Sequence, residues 1–256
     1  MERITSRQNS AAVHLKRLGN DAGYRAECRE FLCDGPKLLE EAVEWNVKIK
    51  TVMFTGDAAP EVMQGTRLIS VPAELLESVS PLQSPQGILF SCEMFKRDTK
   101  FSGDRHIILE NMQDPGNVGA VLRTAAAFAV DTVMLLGNCA DPYSPKAVRA
   151  SMGAVFRQRF LALDDIDELK STLNDRGIKL LGASLGEGCR DICEMSLERT
   201  AIAIGNEGKG LSDGLAAICG DFVKIPMERG SESLNAAVAA SIFMWEMYET
   251  KRVSSR

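Results

Sequence analysis

Apolar and polar positions along this chain follow two regimes, and the change falls near residue 100. In the first part, Ala11–Leu18 places apolar side chains near positions 11, 15 and 18, the spacing of one helical face. Phe31-Leu-Cys33 reads as a short strand. After Gly35 comes an amphipathic helix, Pro36–Glu44, with its proline in the first turn. Lys50–Thr55 and Arg67–Val71 are short β-type runs, Ala73–Ser78 is a helical turn, and Gln86–Cys92 is a closing strand. In the second part, strands are expected at His106–Glu110, Thr132–Leu136, Phe156–Leu161, Ile178–Ala183, Ala201–Gly205 and Phe222–Pro226. Helices are expected at Gly116–Ala129, Pro145–Met152, Ile166–Arg176, Ser212–Cys219 and Leu234–Lys251. The strands of this part are continuous apolar runs, as in a parallel sheet covered on both faces. Between the two lies Glu93–Asp104, polar and aperiodic. The pattern therefore predicts an α/β domain over 1–95, a linker over 96–104 and a three-layer α/β domain over 105–256.

Composition narrows the class without naming a function. At 45% hydrophobic and 25% charged residues, the chain is ordinary for a globular protein. No apolar run approaches the ~20 residues of a membrane span, and the first residues lack the apolar core of a signal peptide. A cytoplasmic protein with no membrane contact is expected. Seven cysteines and two histidines are scattered without a complete zinc spacing, so buried or free thiols and no metal are expected. The net charge of −5 argues against nucleic-acid binding by bulk electrostatics. However, Arg3, Arg7, Lys16, Arg17 and Arg25 face a single acid, Asp21, over the first stretch, either a local patch or a solvated helix face.

Three blocks carry candidate chemistry, each where an expected strand runs into a loop or helix, the place where open α/β sheets hold ligands. They are Asn117-Val-Gly-Ala-Val-Leu-Arg123, Ile204-Gly-Asn-Glu-Gly-Lys-Gly-Leu-Ser212, and Ile225-Pro-Met227 with Ser233-Leu-Asn235. The glycine-rich block is not a P-loop: alanine stands at the first glycine position, and Gly210 replaces the hydroxyl residue. Its Gly-x-x-Gly-x-Gly order is not a dinucleotide fingerprint either. What remains is a loop whose backbone can approach a ligand closely, or a plain glycine turn. Asn117, Ser233 and Asn235 are each candidate helix caps as well as candidate functional groups. Asn117 and Arg123 lie roughly 240° apart around their helix and need not share a face. Arg123 sits in an apolar stretch, so it belongs to an interface, to solvent or to an anion.

In their order and spacing the three blocks resemble the motifs of the SpoU (TrmH) branch of the SPOUT RNA 2′-O-ribose methyltransferases, over nearly all of residues 105–250. Ile4-Thr-Ser-Arg-Gln-Asn9 and Phe31-Leu-Cys-Asp-Gly-Pro-Lys-Leu-Leu-Glu-Glu-Ala42 are similar to the substrate-binding domain found before many such catalytic domains, with a fold like ribosomal protein L30. Asp34 stands where that family usually has glutamate. The resemblance implies a SPOUT domain with a C-terminal trefoil knot, working as a homodimer on RNA. Its final helix, with Phe243, Met244, Trp245 and Met247, would lie at the subunit interface or be buried within one subunit. It implies that Ala183, Ser184, Gly186, Gly205, Asn206, Gly208, Ile225, Pro226, Met227, Leu234, Asn235 and Ala237 hold S-adenosylmethionine. Asn117, Arg123, Glu207, Ser233 and Asn235 match the catalytic positions. Arg7, Asn9, Lys16, Arg17 and Arg149 are the candidate RNA contacts.

The implied reaction is in-line attack of a ribose 2′-hydroxyl on a sulfonium methyl, an electrophile activated without metal. The family's usual proposal makes the motif-one arginine the base. A guanidinium holds its proton too tightly for that role, so Arg123 is expected to stay charged, grip a neighbouring phosphate and stabilise developing alkoxide. Ribosomal RNA is the expected substrate. The alternatives are tRNA, an antibiotic-resistance methylase, and an RNA-binding protein that no longer methylates.

Overall fold

A computed structural model describes residues 1–95, 103–186, 188–228 and 233–254. Residues 96–102 of the expected linker lie outside these. The chain divides into two compact units, Met1–Lys96 with Asp141–Arg157, and Arg97–Ala140 with Gln158–Arg256. Elements are numbered along the chain.

The first unit comprises β1 (Glu2–Arg3), α1 (Ser10–Asn20), α2 (Ala22–Cys28), β2 (Glu30–Asp34), α3 (Pro36–Glu44), β3 (Ile49–Phe54), β4 (Arg67–Ser70), α4 (Ala73–Val79) and β5 (Ile88–Glu93). Its sheet runs β1-β4-β3-β5-β2. The pairs β1/β4 and β3/β4 are parallel, and β5 is antiparallel to both β3 and β2. Leu15, Leu18, Leu32, Met53, Ile69 and Leu76 form the core on one face. The apolar pattern does not reveal α2. That helix is built instead on Asp21, which caps it at the Tyr24 amide, and on Arg25, buried at 4% exposure.

Arg25 is buried because Asp141 lies 2.7 Å away and the Leu18 carbonyl accepts a further bond at 2.8 Å. It is therefore no part of the basic surface that its neighbours in sequence suggest. Asp141 opens a segment that lies far along the chain yet belongs to the first compact unit: Asp141–Arg157, with helix α6 (Pro145–Ser151). The physical reason is β2, an edge strand whose five residues are all buried. Phe31 on its outer face meets Tyr143 at 4.7 Å and Phe156 at 6.2 Å between ring centres. Arg157 also pairs with Glu41 at 2.9 Å. The segment thus packs its aromatic side chains against the face of β2 that Phe31 presents.

The second unit comprises β6 (Arg105–Glu110), α5 (Pro115–Ala127), β7 (Thr132–Leu136), β8 (Phe160–Leu163), α7 (Ile166–Asn174), β9 (Lys179–Ala183), β10 (Arg190–Asp191), β11 (Thr200–Ile204), α8 (Asp213–Ile218), β12 (Asp221–Lys224) and α9 (Ala236–Ser254). Its seven strands run β10-β12-β9-β11-β6-β7-β8, all parallel. Side chains alternate between two cores: Ile107, Leu109, Val133, Leu135, Ile202 and Ile204 face one, while Ile108, Met134, Leu136, Ala201 and Ala203 face the other. This alternation within unbroken apolar strands is the three-layer arrangement that the pattern predicts. β8 starts four residues later than expected, because Ala154–Phe156 forms a single 3-10 turn and Gln158 is buried with its amide on the Val130 carbonyl. In α9, Phe243, Met244 and Met247 are buried in their own unit's core. Trp245 is 43% exposed, edge-on to Phe128 at 5.4 Å.

His106, fully buried in β6, has its pKa lowered from 6.5 to about 4 by desolvation. The unfolded chain therefore takes up the proton first as pH falls, so the contribution is constant above about 6.5 and is lost between 6.5 and about 4. The expected loss is on the order of 3 kcal/mol. Urea unfolding of wild type and His106→Gln at pH 7 and pH 4.5 checks this: the wild type is expected to lose more stability than the variant by about 2 kcal/mol, since the loss is not complete until below pH 4.

Candidate active site

Because every strand of the second sheet runs the same way, the loops that follow them gather at one end. Those after β9, β11 and β12, with the residues opening α9, enclose a cavity of about 440 Å3. The strands that lead into the Gly205 and Ile225 loops are not neighbours. β9 lies between β11 and β12, so the Ala183–Leu185 segment sits between the two loops.

The loop after β11 is a ring closed on its own backbone. Asn206 and Gly210 exchange both main-chain hydrogen bonds, at 3.0 and 2.9 Å. The Asn206 side chain fills the ring, with Oδ1 accepting from the amides of Gly208 at 3.0 Å and Lys209 at 3.3 Å. Gly205 permits the closure, since a Cβ there would lie 2.1 Å from the Gly210 carbonyl carbon. The glycines thus serve the loop's own approach to itself as well as access by a ligand.

A second set of bonds joins three loops. Asp114 caps α5 by accepting from the amides of Gly116 at 2.6 Å and Asn117 at 3.1 Å. Asn117 is therefore not the cap, and its carboxamide works elsewhere. Its Nδ2 donates to Glu207 Oε1 at 2.8 Å, and its Oδ1 accepts from Asn235 Nδ2 at 3.2 Å. Asn235 does cap its helix, α9, accepting from the amides of Ala237 at 2.9 Å and Val238 at 3.2 Å. One side chain thus holds both a cap and a link in the network. Arg123, farther along α5, is exposed and makes no hydrogen bond or ion pair among the described residues.

Of the residues matched to a cofactor, Ala183, Ser184, Gly205, Asn206, Ile225, Met227 and Leu234 line the cavity, as do Glu207 and Ser233 from the catalytic set. Gly186 and Gly208 are held in their loops by bonds to Ser184 and Asn206. Pro226 is exposed, and Ala237 is buried in the start of α9. Sequence reasoning passes over Leu185, Lys209, Leu211, Phe222 and Phe243, which also line it. Lys209 and Leu211 carry a signal, lying within the glycine-rich block, whereas Phe222 and Phe243 read as ordinary core. Arg7, Lys16, Arg17 and Arg149 are exposed, and Asn9 caps α1. All five belong to the first unit, with Arg17 stacked 3.8 Å above the Tyr24 ring. All seven cysteines are free thiols. Among the described residues, no group of three or more His, Cys, Asp or Glu is placed to hold a metal, and no helix is long and apolar enough to cross a membrane.

The cavity has the size of an organic-ligand site, with apolar walls and polar groups confined to its loops. Comparison with known proteins gives it a context. The model of the SpoU rRNA methylase family matches residues 104–245, and that of the MRM3-like substrate binding domain matches residues 14–89. An uncharacterized tRNA/rRNA methyltransferase of Synechocystis is 31% identical over 254 residues, covering 95% of this chain and 92% of the relative. The 23S rRNA (guanosine(2553)-2′-O)-methyltransferase RlmP of Bacillus subtilis is 28% identical, covering 96% of this chain and 99% of the relative. Among solved structures, the SpoU methyltransferase AviRb of Streptomyces viridochromogenes in complex with AdoMet superposes with a TM-score of 0.85 at 26% identity, covering 97% of this chain and 100% of that one.

Gly205→Ala is expected to open the ring, since the clash is with backbone and no side chain can move aside. Hydrogen exchange followed at single amides should show Asn206 and Gly210 losing at least about ten-fold in protection, while β11 itself keeps its protection.

Proposed function

This chain belongs to the SpoU rRNA methylase family, and from that premise we propose that it transfers a methyl group from S-adenosylmethionine to a ribose 2′-hydroxyl of ribosomal RNA. The observation that carries the proposal is the strand-end cavity that shares Glu207 with the Asn235–Asn117–Glu207 network. A relative named as a 23S rRNA 2′-O-methyltransferase supports the substrate, and AdoMet bound in a similar structure supports the cofactor.

The residues fit that cofactor. Ile204, Leu211, Phe222 and Phe243 offer apolar wall to a nucleoside, while Ser184, Glu207 and Ser233 bring polar groups to a zwitterion. Bound there, S-adenosylmethionine supplies a methyl carbon already activated on a sulfonium. The remaining work is alignment of the hydroxyl and management of its charge. Arg123 has its five N–H donors uncommitted among the described residues, so it can grip the phosphate beside the target ribose and stabilise charge growing on the 2′-oxygen. Asn117, held between Asn235 and Glu207, keeps one fixed orientation at the mouth of α5.

The rest of the proposal follows from the same family. Residues 1–95 serve as the RNA-recognition domain through Arg7, Asn9, Lys16 and Arg17, joined by Arg149, and residues from 105 onward carry out catalysis. The C-terminal segment forms a trefoil knot. The enzyme is a cytoplasmic homodimer, with Val238 and Trp245 of α9, 48% and 43% exposed, available to the partner.

Transfer of labelled methyl from S-adenosylmethionine to ribosomal RNA, followed by alkaline digestion, tests the reaction. A 2′-O-methyl group removes the nucleophile of alkaline cleavage, so label is expected in alkali-resistant dinucleotides. Cofactor binding without label in any RNA would overturn the proposal. Arg123→Ala should lower kcat about 10²–10³-fold, and Arg123→Lys should keep part of it. The shape of the pH–rate profile should survive in Arg123→Ala; its loss would make Arg123 the base.

Asn235→Asp separates capping from catalysis. The carboxylate still caps α9 but cannot donate to Asn117 Oδ1. Thermal stability is expected to change by less than about 0.5 kcal/mol, whereas kcat is expected to fall about ten-fold or more.

A further inference from the structure

Glu110 and Asn111, at the end of β6, line no part of the cavity, yet both ends of the loop that closes it are tied to them. Glu110 is 4% exposed. Its Oε2 accepts the Ser212 amide at 2.8 Å, and its Oε1 accepts the Ser212 hydroxyl at 2.5 Å. The Ser212 Oγ in turn accepts the Leu215 amide at 3.2 Å, which joins the tie to the start of α8. At the other end of the loop, Asn206 Nδ2 donates to the Asn111 carbonyl at 3.0 Å. Asn111 is itself fixed: its φ is +53°, and its side-chain oxygen accepts from the Asn138 amide at 2.8 Å.

A buried carboxylate is an expensive way to join a strand to a serine. Glu110 forms no ion pair among the described residues to offset its burial. What a carboxylate offers is two acceptor oxygens for the two donors of one residue, and here both are used. The result fixes Ser212 in position and orientation, and with it the loop that carries Glu207. Its partner Asn117 stands on the same run of chain that leaves Glu110, so both ends of the Asn117–Glu207 bond are referenced to the end of β6.

We propose that Glu110 is a positioning residue for methyl transfer: through Ser212 it holds the Asn206–Leu211 loop closed on the cofactor cavity and keeps Glu207 within reach of Asn117. The proposal rests on the methyltransferase reading above. Glutamine at 110 keeps the shape but loses the charge and one of the two acceptors, so the Ser212 hydroxyl or amide loses its charged partner and the hydroxyl can at best accept from the new NH2 group. Alanine at 212 removes the hydroxyl, and threonine restores it.

The test uses the full chain, at a temperature where every variant is folded. Calorimetry with S-adenosylmethionine should give a Kd about ten-fold higher in Glu110→Gln and in Ser212→Ala, the loss expected for one hydrogen bond to a charged group. Ser212→Thr should stay within about two-fold of wild type. In steady-state transfer, KM for S-adenosylmethionine should rise and kcat fall while KM for RNA holds. The double variant should be no worse than the weaker single variant, because both remove the same tie. A lowered Tm with the Kd of Glu110→Gln within about two-fold of wild type would overturn the proposal and leave Glu110 a packing residue. Amide exchange at Gly208 and Lys209 gives a readout independent of activity: loss of protection in Glu110→Gln supports the tie, and retained protection overturns it. Wild type that neither binds S-adenosylmethionine nor transfers methyl would instead sink the methyltransferase reading, and the exchange result would still decide the tie.

Discussion

Parallel pairing of β11 between β6 and β9 decides which loops meet at the candidate site. The register sets Ile204 beside Leu109 and Ala203 beside Gly182, so the chain leaving β11 emerges next to Glu110 on one side and Ala183 on the other. Strand ends in a parallel sheet all present their loops to the same side, and a ligand placed there is reached from several segments that lie far apart in sequence. The strand beyond contributes by shape. Phe222 pairs with Gly182, and its ring lies where a Cβ on residue 182 would come within 2.7 Å, so the missing side chain lets an aromatic side chain reach the cavity. Inserting β11 one position elsewhere in the order would scatter all of these contacts.

Polar groups at the site share their work with the scaffold. Asp114 takes over the capping of α5, which frees Asn117. Asn235 caps α9 with its oxygen and reaches Asn117 with its nitrogen. Asn206 uses its oxygen inside the glycine ring and its nitrogen to hold the ring to β6. A carboxamide carries a donor and an acceptor on one short side chain, so it can complete a loop and orient a neighbour together. Arg123, exposed on the same helix as Asn117, is instead left without a partner among the described residues, the condition a group needs if it is to meet an anionic substrate.

The first unit solves a different problem. Its sheet ends in β2, an edge strand whose five residues are all buried. The segment Asp141–Arg157 contributes to that burial by laying Tyr143 and Phe156 against Phe31, and it pairs Asp141 with the buried Arg25. The cost is that the fold of the first unit depends on residues more than forty positions farther along the chain than the rest of it. The net charge of −5 likewise conceals a local distribution: Arg7, Lys16, Arg17 and Arg149 remain exposed on this unit after Arg25 is withdrawn.

Much of the architecture is legible from local pattern. The amphipathic period locates α3, and apolar runs bounded by polar residues locate β7 and the long final helix closely. These patterns miss α2 and the two-residue strands β1 and β10, whose formation depends on a cap, a distant ion pair or an edge pairing rather than on a repeat. They overextend β12 to Pro226, where the missing N–H cannot continue a ladder. The motif blocks placed Asn117, Ser233 and Asn235 at strand or helix ends as caps or functional groups, and only the family resemblance set Glu207 and Arg123 beside them as catalytic positions. What the sequence determined by itself is therefore most of the longer elements, the α/β class with its parallel run of strands, and the candidate polar groups. Only the tertiary structure decided that Asp141–Arg157 folds with the first unit, that β9 separates two of the loops, that Asp114 rather than Asn117 is the cap, and that Glu110 grips Ser212. Each of those outcomes joins residues far apart in the chain, and no local periodicity encodes a contact whose partners are set by strand order and register.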